Sequence, residues 1–244
     1  MKITRYELKV VQDGTLPLQL DGRIIPHIEH LCTCVVVWPE GMIPAPDNSL
    51  IVDPCFSEKS LRKAAKRLQR LNSSIDRIGH VFVTHEHRDH LPNLPGERST
   101  PHWVPFLCDG SGQFRGIRCH PCPGHSPDLM ALVLNTKDGE YWIVGDAILN
   151  KTWLIHWGYY WPNGYTTEQI SQTWCTVADI LTKADVIVPG HGSPFRVTAS
   201  VVEEALANWP AAPHRSRCPD VGVSLQSRLE TLKMNNPRIG KGSE

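Results

Sequence analysis

Four short apolar runs, each ending at or just before a polar residue, constrain this 244-residue chain more than any other feature. They are Leu50 to Val52 before Asp53, Val81 to Thr84 before His85, Tyr141 to Gly145 before Asp146, and Val186 to Val188 shortly before His191. Runs so short and so rich in Val and Ile read as strands buried on both faces. Strands of one sheet that end this way gather their terminal side chains at one edge, where layered α/β folds keep their ligands. Tyr6 to Val11, Cys32 to Trp38, Gly116 to His120 and Ala131 to Asn135 are further expected strands.

Helices interleave with these strands. Ser57 caps an expected helix with Leu61, Ala64, Ala65, Leu68 and Leu71 on one face and a ring of Lys and Arg around the other. Thr166 with Gln169 forms a capping box for a helix carrying Ile170, Trp174, Val177 and Leu181. Ser200 with Glu203 is expected to do the same for Val201, Val202, Ala205 and Leu206, and Pro210 and Pro213 close that helix. Residues 1–210 are therefore expected as one domain. In 211–244 only Leu225, Leu229 and Leu232 keep helical spacing, so this part is expected as an extension packed on the domain or on a neighbouring subunit of a homodimer.

Composition narrows the partners. Lys plus Arg number 25 and Asp plus Glu number 25, so no net charge gathers polyanions or anionic lipid. The basic face of the first helix has no aromatic residues among its charges and is expected to be solvated, which speaks against nucleic acid. No run approaches the roughly 18 apolar residues of a membrane span. Arg5 and Glu7 stand where an export signal needs apolar residues, so a cytoplasmic protein with reduced thiols is expected. Cys32 and Cys34 read as small core residues of one strand, and Cys119 and Cys122 form a lone CxxC with no second pair to complete a sulfur site for zinc.

The chemistry is concentrated after the second of the four runs, in His85-Glu86-His87-Arg88-Asp89-His90. A helix would set His85 and His87 on different faces, whereas an extended turn lets alternate residues converge on one ion while Asp89 and His90 turn to another. Three further polar residues follow glycines, each of which lets the chain turn so that the next side chain points back over the strand ends: His125 in Pro-Gly-His, Asp146 in Gly-Asp, and His191 in a second Pro-Gly-His. Each is an ordinary turn by itself, and the weight lies in the combination.

HxHxDH, Pro-Gly-His, Gly-Asp and Pro-Gly-His in this order resemble the metallo-β-lactamase superfamily, over about Leu31 to Trp209. The segment from Ala184 to Val197 is also similar to the corresponding stretch of metallo-β-lactamase domain-containing proteins. The resemblance implies a four-layer αβ/βα sandwich with a dinuclear metal site at one edge. Carried across, His85, His87 and His125 hold the first metal, Asp89, His90 and His191 the second, and Asp146 bridges them. Asp53 matches the acid that stands behind the metal ligands and orients a ligating His. Pro92 departs from the pattern, since many relatives have Gly in the turn after His90. The 53 residues after His191 lack the long helical substrate domain of glyoxalase II.

Such a site implies a hydrolase in which two divalent ions lower the pKa of a water between them, with Asp89 or Asp146 moving the proton to the leaving group. Five imidazoles and two carboxylates suit zinc, and without a thiolate iron and manganese also fit. A small-molecule ester, lactone, thioester or amide is the expected substrate. A phosphodiesterase or RNA nuclease on the same metals, and a metal-bearing domain that binds a partner without turnover, are the alternatives. Trp153 to Tyr165 is rich in aromatic residues and is expected either to cap the core or to stand near the metals as a pocket wall or a dimer contact. On the second reading His156, Trp157, Tyr159, Tyr160 and Tyr165 are candidate substrate contacts.

Overall fold

The protein is described by a computed structural model that covers residues 4–96, 101–107, 114–159 and 164–235. Two five-stranded sheets carry the fold. The first contains β1 (Tyr6–Gln12), β2 (Cys34–Pro39), β3 (Leu50–Val52), β4 (His80–Phe82) and β5 (Val104–Pro105), in that spatial order. The second contains β6 (Arg118–Pro121), β7 (Met130–Thr136), β8 (Gly139–Gly145), β9 (Val186–Pro189) and β10 (Phe195–Arg196), in spatial order β10-β9-β8-β7-β6. The four apolar runs are therefore divided two and two between the sheets, not gathered in one as the sequence alone suggested. Within each sheet the two runs are the parallel pair, β3 with β4 and β8 with β9. Both pairs end at the same edge of the molecule.

Alternation along the strands explains why those runs are apolar throughout. Val35, Val37, Leu50, Val52 and Phe82 point into the space between the sheets and meet Leu132, Leu134, Ile143 and Val188. Their neighbours Val36, Trp38 and Ile51 point outward under α1 (Glu58–Gln69), against its buried Ala64 and Leu68. On the other side Val133, Trp142, Val144 and Ile187 are covered by α3 (Thr167–Lys183), α4 (Ala199–Asn208) and α5 (Pro219–Met234), with the short α2 (Lys151–Ile155) beside them. The result is a layered α/β/β/α sandwich, as expected.

The helix starts follow their caps. Ser57 and Thr166 each close a capping box, with Ser60 and Gln169. The third expected box does not form, because Thr198 accepts from the Val201 amide and starts α4 before Ser200, whose hydroxyl turns to Glu204 instead. The segment 211–235 is more than an appendage: Val221, Leu225 and Leu229 of α5 lie in the same buried cluster as α3 and α4. Six described cysteines are free, whereas Cys119 is disulfide-bonded, which corrects the expectation of wholly reduced thiols. Among the described residues no helix is long and apolar enough to cross a membrane.

The aromatic segment divides between the two roles open to it. Trp157 is not a substrate contact: it is 1% exposed, packs on Trp174 and Trp209 at ring separations of 5.4 and 4.4 Å, and donates from Nε1 to Ala205 O. Its backbone sits at φ 53°, which turns the chain sharply after α2. Truncating a buried aromatic of this size costs about 3–5 kcal/mol. Trp157→Ala is accordingly expected to lower the unfolding free energy by about that amount in a denaturant titration while leaving the kinetics of the folded fraction unchanged. A variant with native stability would contradict the core assignment.

Candidate metal centre

The edge at which both parallel pairs end is built from residues that the strands deliver in sequence. β3 ends at Val52 before Asp53, β4 leads on to Thr84 and His85, β8 ends at Gly145 before Asp146, and β9 ends at Pro189 before Gly190 and His191. His125 comes from the turn between β6 and β7. Two groups of side chains result, each with ligand atoms within 4.8 Å of one another: His85, His87, His125 and Asp146, and Asp89, His90, Asp146 and His191.

Asp146 belongs to both groups. Its Oδ2 lies 3.3 Å from His125 Nε2 and 3.9 Å from His85 Nε2. Its Oδ1 lies 3.2 Å from His90 Nε2 and 3.1 Å from His191 Nε2. Two glycines make this approach sterically available. Gly145 has φ 48°, and a Cβ there would strike Thr84. At Gly190 the reason is space rather than a turn, because a Cβ would run into Asp146 Oδ1.

Buried hydrogen bonds fix how the imidazoles face. Asp53 is 1% exposed and held at φ 50°, a left-handed conformation that Asp tolerates better than most residues. Its Oδ1 accepts from the Thr84 amide and its Oδ2 from the Thr84 hydroxyl, each at 2.8 Å. His90 Nδ1 donates to the same Oδ2 at 2.8 Å, which turns Nε2 into the site. With the Thr84 proton committed to Asp53, its oxygen accepts from His85 Nδ1 at 3.1 Å, so His85 Nε2 keeps its lone pair. His191 Nδ1 donates to Leu31 O at 2.9 Å. These are the partners that orient metal-binding imidazoles.

The donor set fits cations. His85 Nε2 and His125 Nε2 lie 3.0 and 2.9 Å from His87 Nδ1, so ring nitrogens converge where a proton or a cation must relieve them. His90 Nε2, His191 Nε2 and Asp146 Oδ1 are buried without a hydrogen-bond partner. Burial pushes His85 down to about 2 and His125 down to about 4, so both rings are neutral at ordinary pH and could serve as ligands. His90 and His191 go the other way. Burial disfavours their charged forms, but the Asp146 carboxylate outweighs it and raises both, and Asp53 adds to the rise at His90. Asp146 itself is held well below the carboxylate range, because the imidazoles of His191, His90 and His125 outweigh the burial that would raise it.

All of the expected metal ligands are thus brought together, with Asp53 behind them, while the candidate substrate contacts separate. The Tyr165 hydroxyl lies 2.6 Å from His125 Nδ1, against a ligand ring. Tyr159 lines a small pocket with Tyr165, His125 and Asp146. His156 is exposed, with Nδ1 2.9 Å from Thr152 O of its own helix, outside the lining of the metal cavity. Tyr160 lies outside the described residues. The cavity over the ligands, about 190 Å³, includes a residue that sequence reasoning passed over, His30. It is one histidine in the long β1–β2 connection, with no motif around it.

Because Asp146 raises His90 and His191, a cation entering the second group displaces protons that both would hold above the ordinary imidazole range. Zinc affinity measured by chelator competition is expected to rise from about pH 6 to about pH 8, with proton release on binding. An affinity independent of pH would contradict this electrostatic arrangement.

No family model matches the chain. Metallo-β-lactamase domain-containing protein 1 of Rattus norvegicus is 29% identical over 145 residues, 51% of this chain and 54% of that protein. The chain thus matches about half the length of the curated relatives of that name. An atrochrysone carboxyl ACP thioesterase of Aspergillus fumigatus is 26% identical over 192 residues, 70% of this chain and 40% of that protein. Among solved structures, AidC, a dizinc quorum-quenching lactonase, superposes with a TM-score of 0.53 at 12% identity, covering 78% of this chain and 89% of that one. The two sheets, the order of the clustered His and Asp residues and these likenesses agree in giving the chain the fold of the metallo-β-lactamase superfamily and a resemblance to its members.

Proposed function

We propose that the chain is a dinuclear metal-dependent hydrolase, with zinc as its ions and a small-molecule ester, lactone, thioester or amide as its substrate. The observation that carries this reading is the division of Asp146 between two imidazole groups, one at each carboxylate oxygen. Two divalent ions in such a site supply Lewis acidity and lower the pKa of the water between them. The first ion would be held by His85, His87 and His125, the second by Asp89, His90 and His191, and both by Asp146.

The remaining work falls to the chain's own groups. Asp89 is the most open of the carboxylates at the site, with its side chain 29% exposed at the cavity, where it can take a proton from water and pass it to a leaving group. Leu16 and Leu149 wall the cavity and keep bulk water from the ligands. A groove of about 940 Å³ adjoins it through Leu16 and His191. Leu18, Leu20, Ile25, Trp153 and Phe195 give the groove an apolar wall, and among the described residues Lys151 is its single lysine or arginine. Such a surface suits an acyl chain and gives a polyanion little to hold, so the acyl substrates are preferred over RNA. The thioesterase name of the Aspergillus relative agrees with that preference.

The zinc-loaded protein assayed against lactone, thioester, aryl ester, β-lactam and phosphodiester substrates is expected to turn over an acyl class. Phosphodiester turnover without acyl turnover would move the protein to the nuclease reading. Asp89→Ala is expected to lose roughly 10²- to 10⁴-fold in kcat with an unchanged melting profile. Near-normal turnover by a well-folded Asp89→Ala protein would remove Asp89 from the chemistry.

A further inference from the structure

His30 stands outside the ligand sets but against two of their members. Its Nε2 lies 3.4 Å from Asp89 Oδ2, and its ring lies 4.6 Å from that of His191 at an interplanar angle of 45°. Asp89 and His191 both belong to the second metal group. They also lie near each other, with His191 Nε2 3.4 Å from the same Asp89 oxygen. His30 therefore closes a triangle with one carboxylate oxygen and one ligand ring.

The position of His30 is fixed from both sides. Leu31 exchanges two backbone hydrogen bonds with Thr15, at 2.8 and 3.0 Å, and the Thr15 hydroxyl donates to Glu29 O at 2.5 Å. The Leu31 carbonyl accepts from His191 Nδ1. A few residues of the β1–β2 connection thus hold His191 from its far nitrogen through Leu31 and support its ring face through His30. Further along the same strand, the Thr33 amide donates to Gly190 O at 2.6 Å and the Thr33 hydroxyl to Gly192 O at 2.9 Å. No comparable scaffold surrounds Asp89. It lies in a turn, its side chain is 29% exposed, and among the described residues the ion-pair distances recorded for it are to His30, His90 and His191. Because His90 and His191 are themselves candidate ligands, His30 is the one of the three that meets Asp89 from outside the metal group.

We propose that His30 is a positioning residue for the second metal group: it holds the Asp89 carboxylate over the site and supports the face of His191. This rests on the dinuclear reading above. A freely rotating carboxylate must be ordered when it binds an ion, and a neighbour that orders it beforehand reduces that cost. Outer partners of metal ligands typically carry 10- to 100-fold in metal affinity. The first group, His85, His87 and His125, is not within reach of these contacts and should be indifferent to His30.

The test is zinc titration of the metal-free protein against a chromophoric chelator, for wild type, His30→Ala and His30→Gln, with thermal melting of each metal-free protein alongside. Two binding events are expected in wild type. In His30→Ala one should weaken by about 10- to 100-fold and the other stay unchanged, with native melting. His30→Gln keeps a side-chain N–H donor and should recover most of the loss, which a packing role alone would not produce. Wild-type affinity for both ions in His30→Ala overturns the proposal and leaves the dinuclear reading standing. Equal weakening of both ions overturns it as well, by making His30 a support of the whole edge. A wild type that binds fewer than two ions overturns the proposal together with the reading beneath it.

Discussion

Asp146 is a carboxylate with its side chain 6% exposed, and ring nitrogens of His85, His90, His125 and His191 surround it at 3.1 to 3.9 Å. Burying a charged group costs several kcal/mol unless opposite charge and hydrogen bonds compensate it. Here the compensation is drawn from three separate stretches of chain, 85–90, His125 and His191, so the fold must bring those stretches together before the carboxylate is tolerable. The arrangement also explains a division among the imidazoles. His85 and His125 are pushed toward neutrality mainly by burial, whereas Asp146 raises His90 and His191 against the same effect. Without a cation, protons on the second pair balance the carboxylate. On the dinuclear reading, the same lone pairs and oxygens would serve as ligands when cations bind.

The sandwich meets this demand through its two parallel strand pairs. β3 and β4 lead on to Asp53, Thr84 and His85, and β8 and β9 to Asp146 and His191, one pair from each sheet. The core between the sheets, from Val35, Leu50 and Val52 across to Leu132, Ile143 and Val188, fixes the distance between the two halves of the site. Asp53 carries the next level of order. By accepting from the Thr84 amide, the Thr84 hydroxyl and His90 Nδ1, it links one ligand of each metal group through a single buried side chain. Its left-handed backbone, φ 50°, marks a position where local strain is offset by those three bonds.

Much of this was legible in the sequence because it obeys short-range rules. Alternation and run length placed the strands, the Thr166–Gln169 box placed the start of α3, and the order of His, Asp and Gly marked where ligands could gather. The remainder depends on contacts distant in the chain. Trp157 and Tyr165 are equally aromatic, and only the packing of α3 and the Trp209 turn decides that the first is core while the second meets His125. Thr198 and Ser200 both satisfy capping rules, and in the folded chain it is the Thr198 hydroxyl that meets the Val201 amide while that of Ser200 meets Glu204. Gly190 looked like a turn residue and is instead a gap left for Asp146. His30 gave no signal, because an isolated histidine in a long connection has neither period nor motif.

On the dinuclear reading Asp146 joins two metal groups. X-ray absorption at the zinc edge, on protein loaded with two equivalents, tests it most directly. A metal–metal scattering path at about 3.5 to 4 Å is expected in wild type and is lost in Asp146→Ala. A zinc environment without a metal–metal path in wild type, or one unchanged by Asp146→Ala, would contradict it.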